Sequence, residues 1–243
     1  MAASKRAAAD YIVFPLDVPR GEEALDLAGR LAGCVGLFKI GLELFIQGGG
    51  DLVRRVRDKG KAGIFLDLKL HDIPVTVARA VSRLAQLDVA LTTVHCGESP
   101  AMLDAAVESA GDRVGILGVT VLTSVSAQDL KYSGYRAPYS NDVAELVIKR
   151  AAMAHETGCT GIICSGHEAA AIKHRFGPDF LAVTPGIRPL WEAMSPDDQK
   201  RVTTPAMAVQ AGADYIVIGR PIRDAADPAA AARRVADEIG AVL

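Results

Sequence analysis

No run in this 243-residue sequence approaches the roughly 18 consecutive apolar residues that a membrane-crossing helix needs. The opening MAASKRAAA is basic and alanine-rich but lacks the apolar centre of a secretory signal. Residues 1–10 therefore read as a loosely ordered tail or a short targeting remnant, and 11–243 as one domain. Cysteine is scarce: Cys34, Cys96, Cys159 and Cys164 show no CxxC spacing and lie in or beside apolar segments. They read as reduced packing residues, which points to the cytoplasm. A cationic excess is also lacking. With 27 Lys and Arg against 29 Asp and Glu, the net charge of −2 argues against nucleic acid as the main partner. Among five histidines no pair has metal-ligand spacing. His71 reads as a spacer, His95 as a structural residue at a strand end, and His155, His167 and His174 as helix-surface residues.

Half of the residues are apolar and 23% are charged, the balance of a globular chain. Short β-branched runs recur at 11–18, 35–42, 63–70, 89–96, 114–122, 160–166, 181–187 and 215–222. Each is apolar on both faces, as in a buried parallel sheet. Helical spacing separates them, clearest in EEALDLAGRLA, VARAVSRLAQL, DVAELVIKRAAMAHETG and PAAAARRVADEIGAVL. Pro205 and Pro228 suit first-turn positions, and Gly158 and Gly177 suit helix stops. Eight strands alternating with eight helices is the count of an α/β protein of the (β/α)8 TIM-barrel class. A doubly wound open sheet is the alternative, but it usually carries a glycine-rich phosphate turn after its first strand. Here that turn is LDVPRGEE. Two long loops, 123–140 and 188–204, follow strands five and seven on the face where barrel active sites lie.

The strand ends collect charge. Asp17 ends the first strand, Lys39 lies on the second, and Asp67 and Lys69 lie on the third with Asp72 just beyond. Strand side chains alternate, so Asp67 and Lys69 share a face. If that face lines the barrel mouth, Asp17, Lys39, Asp67 and Lys69 converge, and their alternating signs offset one another's dehydration. Ion pairs that merely close a packed barrel are the bland alternative, but three successive strands are a broad source for those. Thr123 follows strand five. Loops after strands seven and eight commonly bind phosphate in barrels. Gly219 permits close backbone approach, Arg220 can fork onto phosphate oxygens, and Arg188 and Gln199 lie on the preceding loop.

The run FLDLKLHDIPVT resembles the D-x-K-x-x-D-[IV]-x-x-T signature of the orotidine 5'-phosphate decarboxylase family. The order LDV, FKIG, DLKLHDIP, VTVLTS, TPGIRP and DYIVIGRPI is similar to that family's short monofunctional form, over about residues 11 to 230. The resemblance implies a (β/α)8 homodimer that converts orotidine 5'-phosphate to UMP and CO2 without metal or organic cofactor. It implies Lys69 as the cation beside C6 and its proton donor, with Asp67 near the leaving carboxylate. Lys39 is implied to bind the ribose and fix Asp67, and Asp17 to bind a ribose hydroxyl. Asp72 and Thr76 are implied to reach the site from the partner subunit. Thr123 begins the loop that closes over the base, and Arg188, Gln199, Gly219 and Arg220 hold the phosphate.

The sequence departs from the family in the bulky stretch PLWEAMSPDD, where many members carry a shorter, more glycine-rich segment, and this loosens the register of Gln199. The tyrosine-rich KYSGYRAPYSND has no assigned role beyond lid packing. Two rivals stand beside this reading. A metal-dependent sugar-phosphate decarboxylase shares DxKxxD but carries a glutamate where Lys39 stands here. An inactive nucleotide-phosphate binder would not need all four charges.

Overall fold

The pattern of apolar runs becomes a closed sheet. In the computed structural model, which describes residues 6–192 and 203–243, the strands are β1 (Ile12–Pro15), β2 (Leu37–Gly41), β3 (Gly63–Leu70), β4 (Leu91–His95), β5 (Gly115–Val119), β6 (Gly161–Ile163), β7 (Leu181–Thr184) and β8 (Tyr215–Val217). Each is parallel to the next, and β8 pairs back onto β1. The doubly wound alternative is thereby excluded. The helices are α1 (Gly21–Arg30), α2 (Leu42–Arg57), α3 (Pro74–Leu84), α4 (Pro100–Ala110), α5 (Ala127–Tyr132), α6 (Val143–Glu156), α7 (Ala169–Phe176), α8 (Pro205–Gln210), α9 (Arg220–Arg223) and α10 (Pro228–Gly240).

Side-chain alternation divides the apolar residues into two cores. Val13, Leu37, Phe65, Leu91, Leu117 and Val183 point inward and plug the barrel. Their neighbours, among them Phe14, Phe38, Ile40, Ile64, Leu66, Ile116 and Ile216, point outward and pack against the helices. Burial of such side chains contributes about 1.5–3 kcal/mol each. The inner plug has a direct consequence for chemistry. A residue two positions beyond a plug residue shares its face and stands one layer higher, at the C-terminal mouth. Lys39 follows Leu37, Asp67 follows Phe65, and Thr93 follows Leu91 in this way.

Local signals fix the helix ends. Ser99, Asp142, Thr204 and Asp227 accept hydrogen bonds from the first-turn N–H groups of α4, α6, α8 and α10. Pro205 and Pro228 occupy first turns, and α6 and α7 stop at Gly158 and Gly177, as their spacing predicts. The helix α2 crosses Gly48–Gly50, where no helical pattern is written. It is kinked at Gly49, whose φ of +54° only glycine adopts readily.

Three details differ from the sequence reading. The last apolar run, 215–222, is a strand only to Val217, because the chain turns at Gly219 into the short helix α9. The long loop 123–140 contains α5, nucleated by a capping box between Ser126 and Asp129. Of the stretch 1–10 read as a tail, residues 6–10 lie against the barrel: Ala8–Tyr11 form a 3-10 turn, and the Arg6 guanidinium stands 4.2 Å from the Tyr11 ring and 4.3 Å from that of Tyr215.

Candidate active site

Four charges converge at the barrel mouth in alternating order. Lys39 Nζ lies 3.3 Å from Asp17 Oδ1 and 3.5 Å from Asp67 Oδ2. Lys69 Nζ lies 2.7 Å from Asp67 Oδ1. Asp67 is thus held between two ammonium groups, with its side chain only 14% exposed. Burial alone would push its carboxyl up. The charge of Lys39, the hydrogen bond and charge of Lys69 and a hydrogen bond from Thr93 outweigh that and hold it below its ordinary value. Asp17 stands at the exposed outer end of the row.

Lys39, Asp67 and Lys69 form one wall of a cavity of about 180 Å³. Its other walls are apolar: Phe65 below, then Val119, Val121, Leu122, Ile163, Pro185 and Val217, with Thr123 also lining it. Such a chamber can take a flat, weakly polar group and set one edge of it against a fixed cation and a fixed carboxylate. An adjoining cavity of about 210 Å³ shares Val217 and is lined by Asp17, Arg188, Gly219, Arg220 and Arg223. Three guanidinium side chains there suit an anion. A Cβ on Gly219 would stand 2.9 Å from Pro15 Cγ, so glycine lets β8 turn beside β1 and presents backbone to this cavity.

The expected residues therefore fall into groups. Asp17, Lys39, Asp67, Lys69 and Thr123 meet at the first cavity or its charged rim, and Arg188, Gly219 and Arg220 meet at the second. Asp72 and Thr76 line neither. Asp72 Oδ1 accepts the N–H of Ile73 at 2.7 Å, and every residue from His71 to Thr76 is exposed. Within that segment Ile73 is 62% and Val75 48% exposed. Gln199 lies outside the described residues.

Sequence reasoning missed Thr93, whose buried hydroxyl contacts both Asp67 and the backbone of Lys69. It also missed Arg223, which stands one helical turn beyond Arg220 and donates to the Asp17 carbonyl at 2.9 Å. The spacing GRPIR carried that second signal. His71 is exposed, as a spacer would be, but its ring meets Glu98 and stacks beside His95 at 5.2 Å. Burial, with the nearby His71, Arg150 and Lys69 charges, lowers the His95 pKa. The tyrosine-rich segment gains an anchor: Tyr135 accepts from Arg150 at 2.7 Å, while Arg150 also donates to the Thr120 carbonyl. Trp191, in the bulky stretch, lies under the Arg234 guanidinium at 4.1 Å. All four cysteines are free, and burial pushes Cys96 up to about 12 and Cys159 to about 11.

Residues 10–235 match the family described as Orotidine 5'-phosphate decarboxylase / HUMPS. The chain belongs to this family. Among relatives named orotidine 5'-phosphate decarboxylase, that of Desulfosudis oleivorans is 51% identical over 98% of this chain and 96% of its own. That of Trichlorobacter lovleyi is 45% identical, with 96% of each chain covered. The crystal structure of the orotidine 5'-phosphate decarboxylase from Lactobacillus acidophilus superposes with a TM-score of 0.82 at 35% identity, covering 94% of this chain and 98% of that one. The corresponding enzyme structure from Pyrococcus horikoshii gives 0.73 at 26% identity, covering 94% and 99%. Fold and family are thus those that the motif order implied.

Proposed function

We propose that this protein decarboxylates orotidine 5'-phosphate to UMP and CO2, the step that completes UMP in de novo pyrimidine synthesis, using its own side chains without metal or organic cofactor. The observation that carries the reading is Asp67 fixed between Lys39 and Lys69 at the edge of an apolar chamber. The pyrimidine ring enters that chamber with C6 toward Lys69. The substrate carboxylate then lies beside Asp67, and its departure removes a like-charge contact. The C6–carboxylate bond breaks, the electron pair stays on C6, and the Lys69 ammonium gives that carbon its proton. Lys69 is reprotonated from solvent. A vinyl carbanion is poorly delocalised, so stabilisation falls on charges already in place, which is where preorganised electrostatics contribute most.

The adjoining cavity receives the 5'-phosphate on Arg188 and Arg220, with the backbone at Gly219 close by, and Gln199 is the further phosphate ligand that the motif order implies. Asp17 and Lys39 stand between the cavities, where the ribose lies. Thr123 begins the lid, whose closure draws on phosphate binding energy. Residues 11–243 act as one catalytic domain. Two chains pair through the exposed apolar strip at Ile73 and Val75, and each supplies Asp72 and Thr76 to its partner's site. That neither residue lines the two cavities of its own chain supports this exchange. Four free cysteines, three of them buried, fit a cytoplasmic enzyme, and no helix among the described residues is long and apolar enough to cross a membrane. Lys39 opposes a divalent cation at this position, which disfavours the metal-dependent rival.

The test is the absorbance change when orotidine 5'-phosphate is added to EDTA-treated protein, with UMP and CO2 measured as products. Equal amounts of both are expected. Activity lost in EDTA and restored by Mg²⁺ would favour the metal-dependent rival, and UMP binding without turnover would favour the inactive binder.

A further inference from the structure

The two strands that carry the charges are out of step. Leu66 of β3 pairs with Thr92 of β4, and Leu70 pairs with Val94. Asp67, Leu68 and Lys69 therefore stand opposite the single residue Thr93. Such a bulge re-aims side chains and strips the ladder of its regular partners. The excess length is absorbed at Lys69, whose φ of +48° lies in the left-handed region that non-glycine residues seldom occupy. Strain of this kind persists only where the surroundings over-determine it.

Thr93 supplies that determination. Its hydroxyl accepts the Lys69 backbone N–H at 2.8 Å and donates to Asp67 Oδ1 at 3.1 Å. The same Oδ1 takes the Lys69 ammonium at 2.7 Å. A ring closes from Lys69 backbone to Thr93 hydroxyl, to Asp67 carboxylate, to Lys69 ammonium. A hydroxyl has one hydrogen to give and lone pairs to accept with, and Thr93 uses both functions while fully buried. The adjacent Thr92 is an internal contrast. It is equally buried, but its hydroxyl donates to the Leu66 carbonyl at 2.9 Å and touches neither charge.

We propose that Thr93 is a positioning residue for the decarboxylation: it fixes the strained Lys69 backbone and the Asp67 carboxylate together, so the ammonium stays aimed at the reacting carbon. This rests on the decarboxylase reading above. Valine has nearly the shape of threonine without the hydroxyl, and serine keeps the hydroxyl. Thr93→Val is expected to lower kcat about 10- to 100-fold, because a small misplacement of a reacting group costs that much. KM and UMP binding should change less than about threefold, since the anion cavity lies on the other side of the barrel mouth. Thr93→Ser and Thr92→Val should each keep kcat within about threefold of wild type. The acid limb of the pH–kcat/KM profile should move to higher pH in Thr93→Val and stay in place in Thr93→Ser, because only the first deprives charged Asp67 of a donor. Thr93→Ala stands in for Thr93→Val if the latter does not fold. Wild-type kcat without the hydroxyl, or equal losses in Thr93→Ser and Thr92→Val, would overturn the positioning role alone. A wild type that leaves orotidine 5'-phosphate intact would sink the decarboxylase reading, and this inference with it.

Discussion

Replacing Lys39 by methionine keeps most of its unbranched stem and deletes its charge. In the native site that charge lies 3.5 Å from Asp67 and 3.3 Å from Asp17, with the lysine side chain 12% exposed. At 3.5 Å the Coulomb attraction is about 5 kcal/mol with an effective dielectric constant near 20, and about 1 kcal/mol in bulk water. The mouth is enclosed on one side and open on the other, so a loss of about 2–3 kcal/mol is expected, or roughly 30- to 150-fold in kcat/KM. The sign of the pH effect follows from Asp67. Its carboxyl is held below the ordinary value, so its ionised form supports the folded site above that range, and the support is lost as pH falls through the lowered value. Without Lys39, burial weighs more heavily and the carboxyl takes a proton at higher pH. The Lys39→Met variant should therefore show an acid limb of kcat/KM displaced upward, and a urea midpoint that is lower at neutral pH but loses less on acidification, because the gap between the folded and unfolded pKa of Asp67 narrows. The assay is orotidine 5'-phosphate turnover across pH, with urea unfolding alongside. A loss under threefold with an unmoved acid limb would refute the reasoning that Lys39 holds Asp67 charged.

Arg220→Ala removes a charged donor worth about 1.5–3 kcal/mol, so KM for orotidine 5'-phosphate should rise roughly 10- to 150-fold. The rate with orotidine, which lacks the phosphate, should stay unchanged, and an equal loss with both would place Arg220 elsewhere in the mechanism. Mixed Lys69→Ala and Asp72→Asn proteins, each inactive alone, should regain activity through heterodimers; no recovery after verified subunit exchange would count against a site built from two chains. Phe65→Ala empties the plug beneath Asp67 and should cost about 3–5 kcal/mol of stability, read as a lower urea midpoint. An unfolding free energy within about 1 kcal/mol of wild type would show that the plug does not support the mouth.

The barrel was legible because its strands are buried on both faces and its helices keep their spacing, so the two periods alternate visibly along the chain. The charged row was legible for a related reason. Asp67 and Lys69 interrupt an apolar strand at alternate positions, and such charges need partners or a task. Thr93 was not legible. In LTTVH both threonines read as strand formers, and that Thr93 meets both the Asp67 carboxylate and the Lys69 backbone depends on a bulge in the neighbouring strand. Helix α2 was hidden by Gly48–Gly50, which weaken a helical pattern although packing of Leu44, Leu52, Val53 and Val56 sustains the helix. Helix α5 could have been found from Ser126 and Asp129, a capping box inside what reads as a loop. Asp72 and Thr76 belong to the motif yet line neither cavity at the mouth, and a pattern of residue types does not carry that geometry.

The central claim is that the fixed row of charges stabilises negative charge on a pyrimidine carbon and that Lys69 handles the proton there. Exchange of the C6 hydrogen of UMP for deuterium in heavy water, followed by NMR, tests it without the leaving group. Wild type is expected to exchange that hydrogen, and Lys69→Ala to bind UMP without exchanging it. An enzyme that decarboxylates but never exchanges C6, or a Lys69→Ala variant that exchanges as fast as wild type, would contradict the account.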